Sequence, residues 1–179
     1  MELISSHRCF NGEQRRYRIE SEQLKGSSTV GVFLPPSALA TPAKPVPELI
    51  WLSGLTCSDE NFVQKAGAQR RAAELGLALI TPDTSPRGDY VPTDPAGQWD
   101  FGFGAGFYVD AEQEPWSRHY RMHSFVLEEL PSRLCSALPL DVQRLGLSGH
   151  SMGGHGALVL GLRHPDRYRS VSAVAPISH

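Results

Sequence analysis

Gly149-His150-Ser151-Met152-Gly153-Gly154 is the stretch on which the reading turns. Before it runs Val142-Gln143-Arg144-Leu145-Gly146-Leu147-Ser148, apolar-rich and strand-like. After it runs Ala157-Leu158-Val159-Leu160-Gly161-Leu162-Arg163, which reads as a helix. A serine flanked at two residues on each side by glycine, between a strand and a helix, sits on a turn too tight for bulky neighbours. Its hydroxyl then stands exposed at the strand end. The following helix aims its N-terminus at the same place, where developing negative charge is favoured. The alternative is a Gly-rich turn with an incidental serine, and the flanking strand and helix weigh against it.

A strand, G-x-S-x-G and helix in this order form the nucleophile elbow of α/β-hydrolases. There the acid and the histidine follow the serine, whereas this sequence stops at His179, one strand past the elbow. This is either a chain whose C-terminal third is missing, which is the expectation, or a hydrolase that has lost its proton-transfer machinery. Val171-Ser172-Ala173-Val174-Ala175-Pro176-Ile177 carries no charge, and as an uncovered sheet edge it would invite pairing with other chains. That supports the same expectation.

Outward from the elbow, apolar strands alternate with helical stretches. Glu48 to Ser53 and Leu77 to Pro82 are nearly continuous in apolar residues, as in parallel strands buried on both faces. Asn61 to Leu75 reads as one helix stopped by Gly76. Met122 to Leu138 reads as another, with Pro131 a kink or a new start. Val142 to Ser148 and Ser170 to Ile177 are the remaining strands. Glu2 to Phe10, Arg16 to Glu20 and Ser28 to Leu34 read as antiparallel strands, with Asn11-Gly12 a hairpin turn. The expectation is a single α/β domain over 1–179: a mostly parallel sheet with helices on both faces and antiparallel strands at its N-terminal side. Pro35 to Pro47 is a surface connection. Asp83 to Trp116 is a long loop with Trp99, Phe101, Phe103, Phe107, Tyr108 and Trp116, too aromatic for disorder.

Composition narrows the function classes. A formal net charge of -2 gives no electrostatic case for nucleic acid or an anionic membrane. No apolar run is long enough to cross a bilayer, and the N-terminus lacks the pattern of a secretory signal. The three cysteines, Cys9, Cys57 and Cys135, are odd in number and far apart, which suits free thiols in a reducing cytoplasm. No Cys/His spacing suggests zinc.

Ser151 needs a base, an orienter for that base and an oxyanion hole. The hole combines the amide after the nucleophile, Met152, with one from Ser53-Gly54-Leu55-Thr56-Cys57. Leu55 is the candidate there, because Gly54 lets the backbone turn its amide inward; packing is the other reading of Leu55. None of the seven histidines convinces as the base. His150 is the serine's neighbour on a turn, His155 packs or caps, and His119, His123 and His164 read as structural or surface residues. His179 follows the serine with no acid between them. Cys57 is either beside the pocket or an inert thiol. Asp83 and Asp100 read as turn caps.

Five linked blocks resemble the esterase D family, best known for S-formylglutathione hydrolases. They are Leu52-Ser53-Gly54-Leu55-Thr56-Cys57, Pro82-Asp83-Thr84-Ser85-Pro86-Arg87-Gly88, Gly104 to Ala111, Glu128-Glu129-Leu130-Pro131 and Gly149 to Ala157. The resemblance implies an α/β-hydrolase fold and a cytosolic, metal-independent and cofactor-free serine thioesterase, commonly a homodimer, that hydrolyses S-formylglutathione to glutathione and formate. Ser151 matches the family nucleophile, Leu55 and Met152 its oxyanion amides, and Cys57 a cysteine close to the active site. The family's triad aspartate and histidine lie in roughly a hundred further residues after the position of Ser178. The other readings are a carboxylesterase of the same fold acting on aryl or sugar esters, and a truncated non-catalytic product. The long aromatic loop is the candidate for holding glutathione.

Overall fold

The computed structural model describes residues 1–178, so His179 lies outside the described residues. Seven strands form one sheet: β1 (Glu2–Cys9), β2 (Gly12–Ser21), β3 (Gly26–Leu34), β4 (Val46–Leu52), β5 (Ala78–Pro82), β6 (Leu140–His150) and β7 (Ser170–Val174). Their order across the sheet is β1-β2-β3-β5-β4-β6-β7. From β1 through β3 to β5 the pairing is antiparallel; β5, β4, β6 and β7 run parallel. The parallel ends of β4 and β6 lie side by side, with Leu52 opposite Gly149. The loop after β4 and the elbow after β6 therefore emerge at the same edge of the sheet, where ligands bind in parallel α/β sheets.

Helices cover both faces. Ile50, Leu52, Ile80 and Leu147 face Phe125, Leu130, Leu134, Ala157 and Leu160 in the main core. These come from α3 (Met122–Ser124), a π turn at Phe125–Glu129, α4 (Leu130–Cys135) and α5 (Met152–Arg163). The opposite face buries Phe33, Leu79 and Ala72, with Phe62 packed against them. Its cover is α1 (Glu60–Lys65) and α2 (Gln69–Leu75). Trp51 stacks on Phe62 at 4.2 Å between ring centroids.

Several expected elements differ in detail. The single helix over Asn61 to Leu75 is two short helices, broken where Gly67 takes a left-handed φ of 63°. Gly76 does stop the second, at φ 64°, with its amide on the carbonyls of Ala72 and Ala73. The hairpin turn is centred on Phe10-Asn11, at φ 50° and 60°, and Gly12 already pairs with Cys9. A two-residue turn of this hand requires positive φ at both central residues. Gly12 is instead demanded by packing, since a Cβ there would run into the Leu34 carbonyl and the Phe33 ring.

Pro131 does not simply kink its helix. Lacking an N–H, it leaves the Leu127 carbonyl four residues back without a helical partner. The chain widens into the π turn just before it, and Arg167 Nη2 donates to the freed Leu127 carbonyl at 2.9 Å. That helical segment ends at Cys135 and not at Leu138. The final strand stops at Val174, because Ala175 turns to φ 44°. β7 is the sheet edge, with Val174 51% exposed. No helix among the described residues is long and apolar enough to cross a membrane.

Candidate active site

The strand-turn-helix reading of Gly149 to Gly154 matches the local backbone. Ser151 sits between β6 and α5 at φ 56°, ψ −119°, a conformation L residues rarely adopt. The surroundings hold it there. The Ser151 amide donates to the Val174 carbonyl at 3.0 Å, and the Ser151 carbonyl accepts the His155 amide at 3.0 Å as the first bond of α5. Glycine at 153 is obligatory, because a Cβ would collide with the Leu52 carbonyl and stand 2.7 Å from the Ser53 carbonyl. The elbow is thus pressed against the end of β4. Ser151 is half-buried, and Met152, which opens α5, is fully buried.

The loop after β4 completes the corner. A Cβ built on Gly54 would lie 3.3 Å from the Ser151 Cβ and 3.4 Å from the His150 carbonyl. Leu55 packs its side chain against the main core. Thr56 takes φ 65°, and its amide donates to the Gly104 carbonyl at 2.9 Å. The Cys57 carbonyl accepts from Thr84 Oγ1 at 2.5 Å and from Arg87 Nη2 at 3.0 Å. Cys57 itself is half-buried and unpaired to any other cysteine. The structure therefore brings Gly54 against Ser151, with Met152 next to the nucleophile in the chain and Leu55 and Cys57 following Gly54 on the facing loop.

Two of the histidines are held by backbone carbonyls. His119 Nδ1 pairs with the Leu24 carbonyl and His155 Nδ1 with the Ile177 carbonyl. His123 and His164 face each other, centroids 5.3 Å apart. His164 follows α5, which places that pair some 18 Å of helix from Ser151. His150 is solvent-exposed beside the nucleophile. Asp83 caps its turn through the Thr84 amide at 2.7 Å and binds the Arg87 guanidinium at 2.8 and 3.0 Å. Burial pushes its carboxyl above the ordinary value, against the opposing pull of Arg87. Asp100 is exposed. Among the described residues no cluster of three His, Cys, Asp or Glu side chains could hold a metal ion.

Sequence reasoning missed how much of this corner the long loop builds. Gly104, Thr84, Arg87 and Tyr108 all reach back to Ser53–Cys57. The paired glycines at 104 and 106 were the available signal, since each is packed too tightly to carry a Cβ.

The sequence profile of the putative esterase family matches residues 21–179. A mouse S-formylglutathione hydrolase is 50% identical over 177 residues, covering 99% of this chain and 61% of the mouse protein. The structure of an S-formylglutathione hydrolase from Agrobacterium tumefaciens superposes with a TM-score of 0.95 at 46% identity, over 99% of this chain and 62% of that one. A Staphylococcus aureus S-formylglutathione hydrolase, at 18% identity and TM-score 0.70, covers 92% of this chain and 57% of its own. At that identity it speaks for the α/β-hydrolase fold alone. The chain thus spans about 61% of the length of its mouse relative. With the elbow, the facing loop and a profile match over most of its length, the chain belongs to the putative esterase family.

Proposed function

We propose that the protein is a serine thioesterase that hydrolyses S-formylglutathione to glutathione and formate. The observation that carries the proposal is agreement at 50% and 46% identity, along 99% of the chain, with two proteins of that name. In the proposed mechanism Ser151 Oγ attacks the formyl carbon. The amides of Leu55 and Met152 receive the charge on the carbonyl oxygen as it becomes tetrahedral. Collapse expels the glutathione thiolate and leaves a formyl ester on Ser151. Water then attacks that ester, releasing formate and returning the serine hydroxyl.

A thiolate is a better leaving group than an amine, so the oxyanion corner carries a large share of the work. The proton acceptor for Ser151 is proposed to be a histidine oriented by an aspartate, supplied in the whole protein from outside the described residues. Gly54 lets the facing loop approach Ser151 closely, which is consistent with a site for a one-carbon acyl group. Cys57, on the loop that carries Leu55, is proposed to border the pocket. The proposal extends to the family's homodimer and to a cytoplasmic setting, which the free thiols of Cys9, Cys57 and Cys135 support.

The test is a comparison of kcat/KM in the whole protein for S-formylglutathione, S-acetylglutathione and p-nitrophenyl acetate. The formyl thioester is expected to lead by at least about tenfold, a margin within reach of a pocket that excludes extra carbons. Preference for the aryl ester would overturn the substrate assignment in favour of a general carboxylesterase.

A further inference from the structure

Tyr108 is the largest fully buried side chain in the protein, and it stands in the long loop beside the active-site corner. Its hydroxyl donates to the Ser53 carbonyl at 2.8 Å. Its ring lies against Gly156 of α5, so closely that a Cβ on Gly156 would be 2.6 Å from Tyr108 Cδ2. The backbone is bent to deliver it, for Phe107 and Tyr108 take φ 49° and 55° in succession. Two consecutive non-glycine residues in that region are costly and persist only where the surroundings require them. Burial raises the phenol well above its ordinary value, so it remains a donor throughout the pH range of the protein.

The consequence lies in the peptide planes. Each peptide unit is rigid, so a carbonyl and the following amide turn together. The Leu55 amide shares its plane with the Gly54 carbonyl. That carbonyl's own restraint is long, a bond from the Cys57 amide at 3.4 Å. The two neighbouring planes are held more firmly. The Ser53–Gly54 plane is fixed by the Tyr108 hydroxyl, and the Leu55–Thr56 plane by the Thr56 amide on the Gly104 carbonyl at 2.9 Å. Both restraints come from one loop, and the Tyr108 ring rests on the helix whose first amide is Met152.

We propose that Tyr108 is a positioning residue of the oxyanion hole, whose hydroxyl, by holding the Ser53 carbonyl, sets the direction of the Leu55 amide relative to that of Met152. This rests on the reading of Ser151 as nucleophile and of Leu55 as oxyanion donor. The aromatic loop then serves catalysis from behind the donor, through the backbone, without touching substrate.

The experiment compares Tyr108→Phe, Tyr168→Phe and Ser151→Ala with wild type in the whole protein, using S-formylglutathione and p-nitrophenyl acetate. Tyr108→Phe removes one oxygen and keeps the ring on Gly156. Tyr168 is a control, a second buried phenol whose hydroxyl has no partner among the described residues. Losing an oxyanion donor outright costs about 10²–10³-fold in kcat, so misdirecting one is expected to cost about tenfold, with KM unchanged, on both substrates. Amide exchange across Ser53 to Cys57, a readout that needs no turnover, is expected to quicken in Tyr108→Phe and not in Tyr168→Phe. An unchanged kcat with unchanged exchange in Tyr108→Phe, while Ser151→Ala is inactive, would overturn the inference and leave the esterase reading standing. Full activity in Ser151→Ala would overturn both.

Discussion

A Cβ on Gly54 would stand 3.3 Å from the Cβ of Ser151, tighter than nine in ten real contacts of that kind. A methyl at Gly54 would therefore need the nucleophile or the facing loop to give by a few tenths of an ångström. Gly54→Ala is expected to leave the fold intact and to narrow the space beside the serine. The loss of kcat/KM should grow with acyl size, small for formyl and larger by about tenfold or more for acetyl. Equal losses for formyl and acetyl thioesters would place the Gly54 contact outside the acyl path.

Glu48 is 1% exposed in β4, with the Cys135 thiol 3.7 Å from Oε1 and no partner for Oε2 among the described residues. Burial raises its pKa to about 7, with Asp141 adding to the rise and the Cys135 thiol opposing it. Below the unfolded value of 4.5 both states are protonated and ionisation of Glu48 contributes nothing to stability. As pH rises toward 7 the unfolded chain ionises first, so stability falls, by roughly 3 kcal/mol at most, and levels off above it. Glu48→Gln is expected to flatten that slope and to be the more stable protein at pH 8. Urea unfolding at pH 5 and pH 8 reads this directly; parallel slopes in wild type and variant would refute it.

The thiol of Cys57 offers a probe of the loop that follows Gly54. A bulky maleimide is expected to inhibit the wild-type enzyme. Cys57→Ala should keep most of the activity and lose the sensitivity, because the contacts that fix this residue run through its carbonyl. Inhibition that persists in Cys57→Ala would show that another thiol, or none, lies at the site.

Much of this corner was legible because its residues are constrained locally. The elbow at Ser151, the stop at Gly76 and the buried strands around Ile50, Ile80 and Leu147 each announce themselves within a few residues. The break between α1 and α2 was hidden because Gly67 sits inside an otherwise helical pattern, where glycine is often tolerated. The π turn at Phe125–Glu129 was hidden because its relief comes from Arg167, 40 residues away. In the sequence Tyr108 is one of several aromatics of the long loop, since its hydrogen bond to Ser53 spans 55 residues and no spacing encodes that.

The account stands or falls on Ser151. The most direct measurement is the rate of glutathione release from S-formylglutathione by the whole protein and by Ser151→Ala, purified side by side. The account predicts a loss on the order of 10⁴-fold or more in kcat, with the variant folded as judged by its unfolding transition. A Ser151→Ala protein that retains a tenth of wild-type turnover would contradict it.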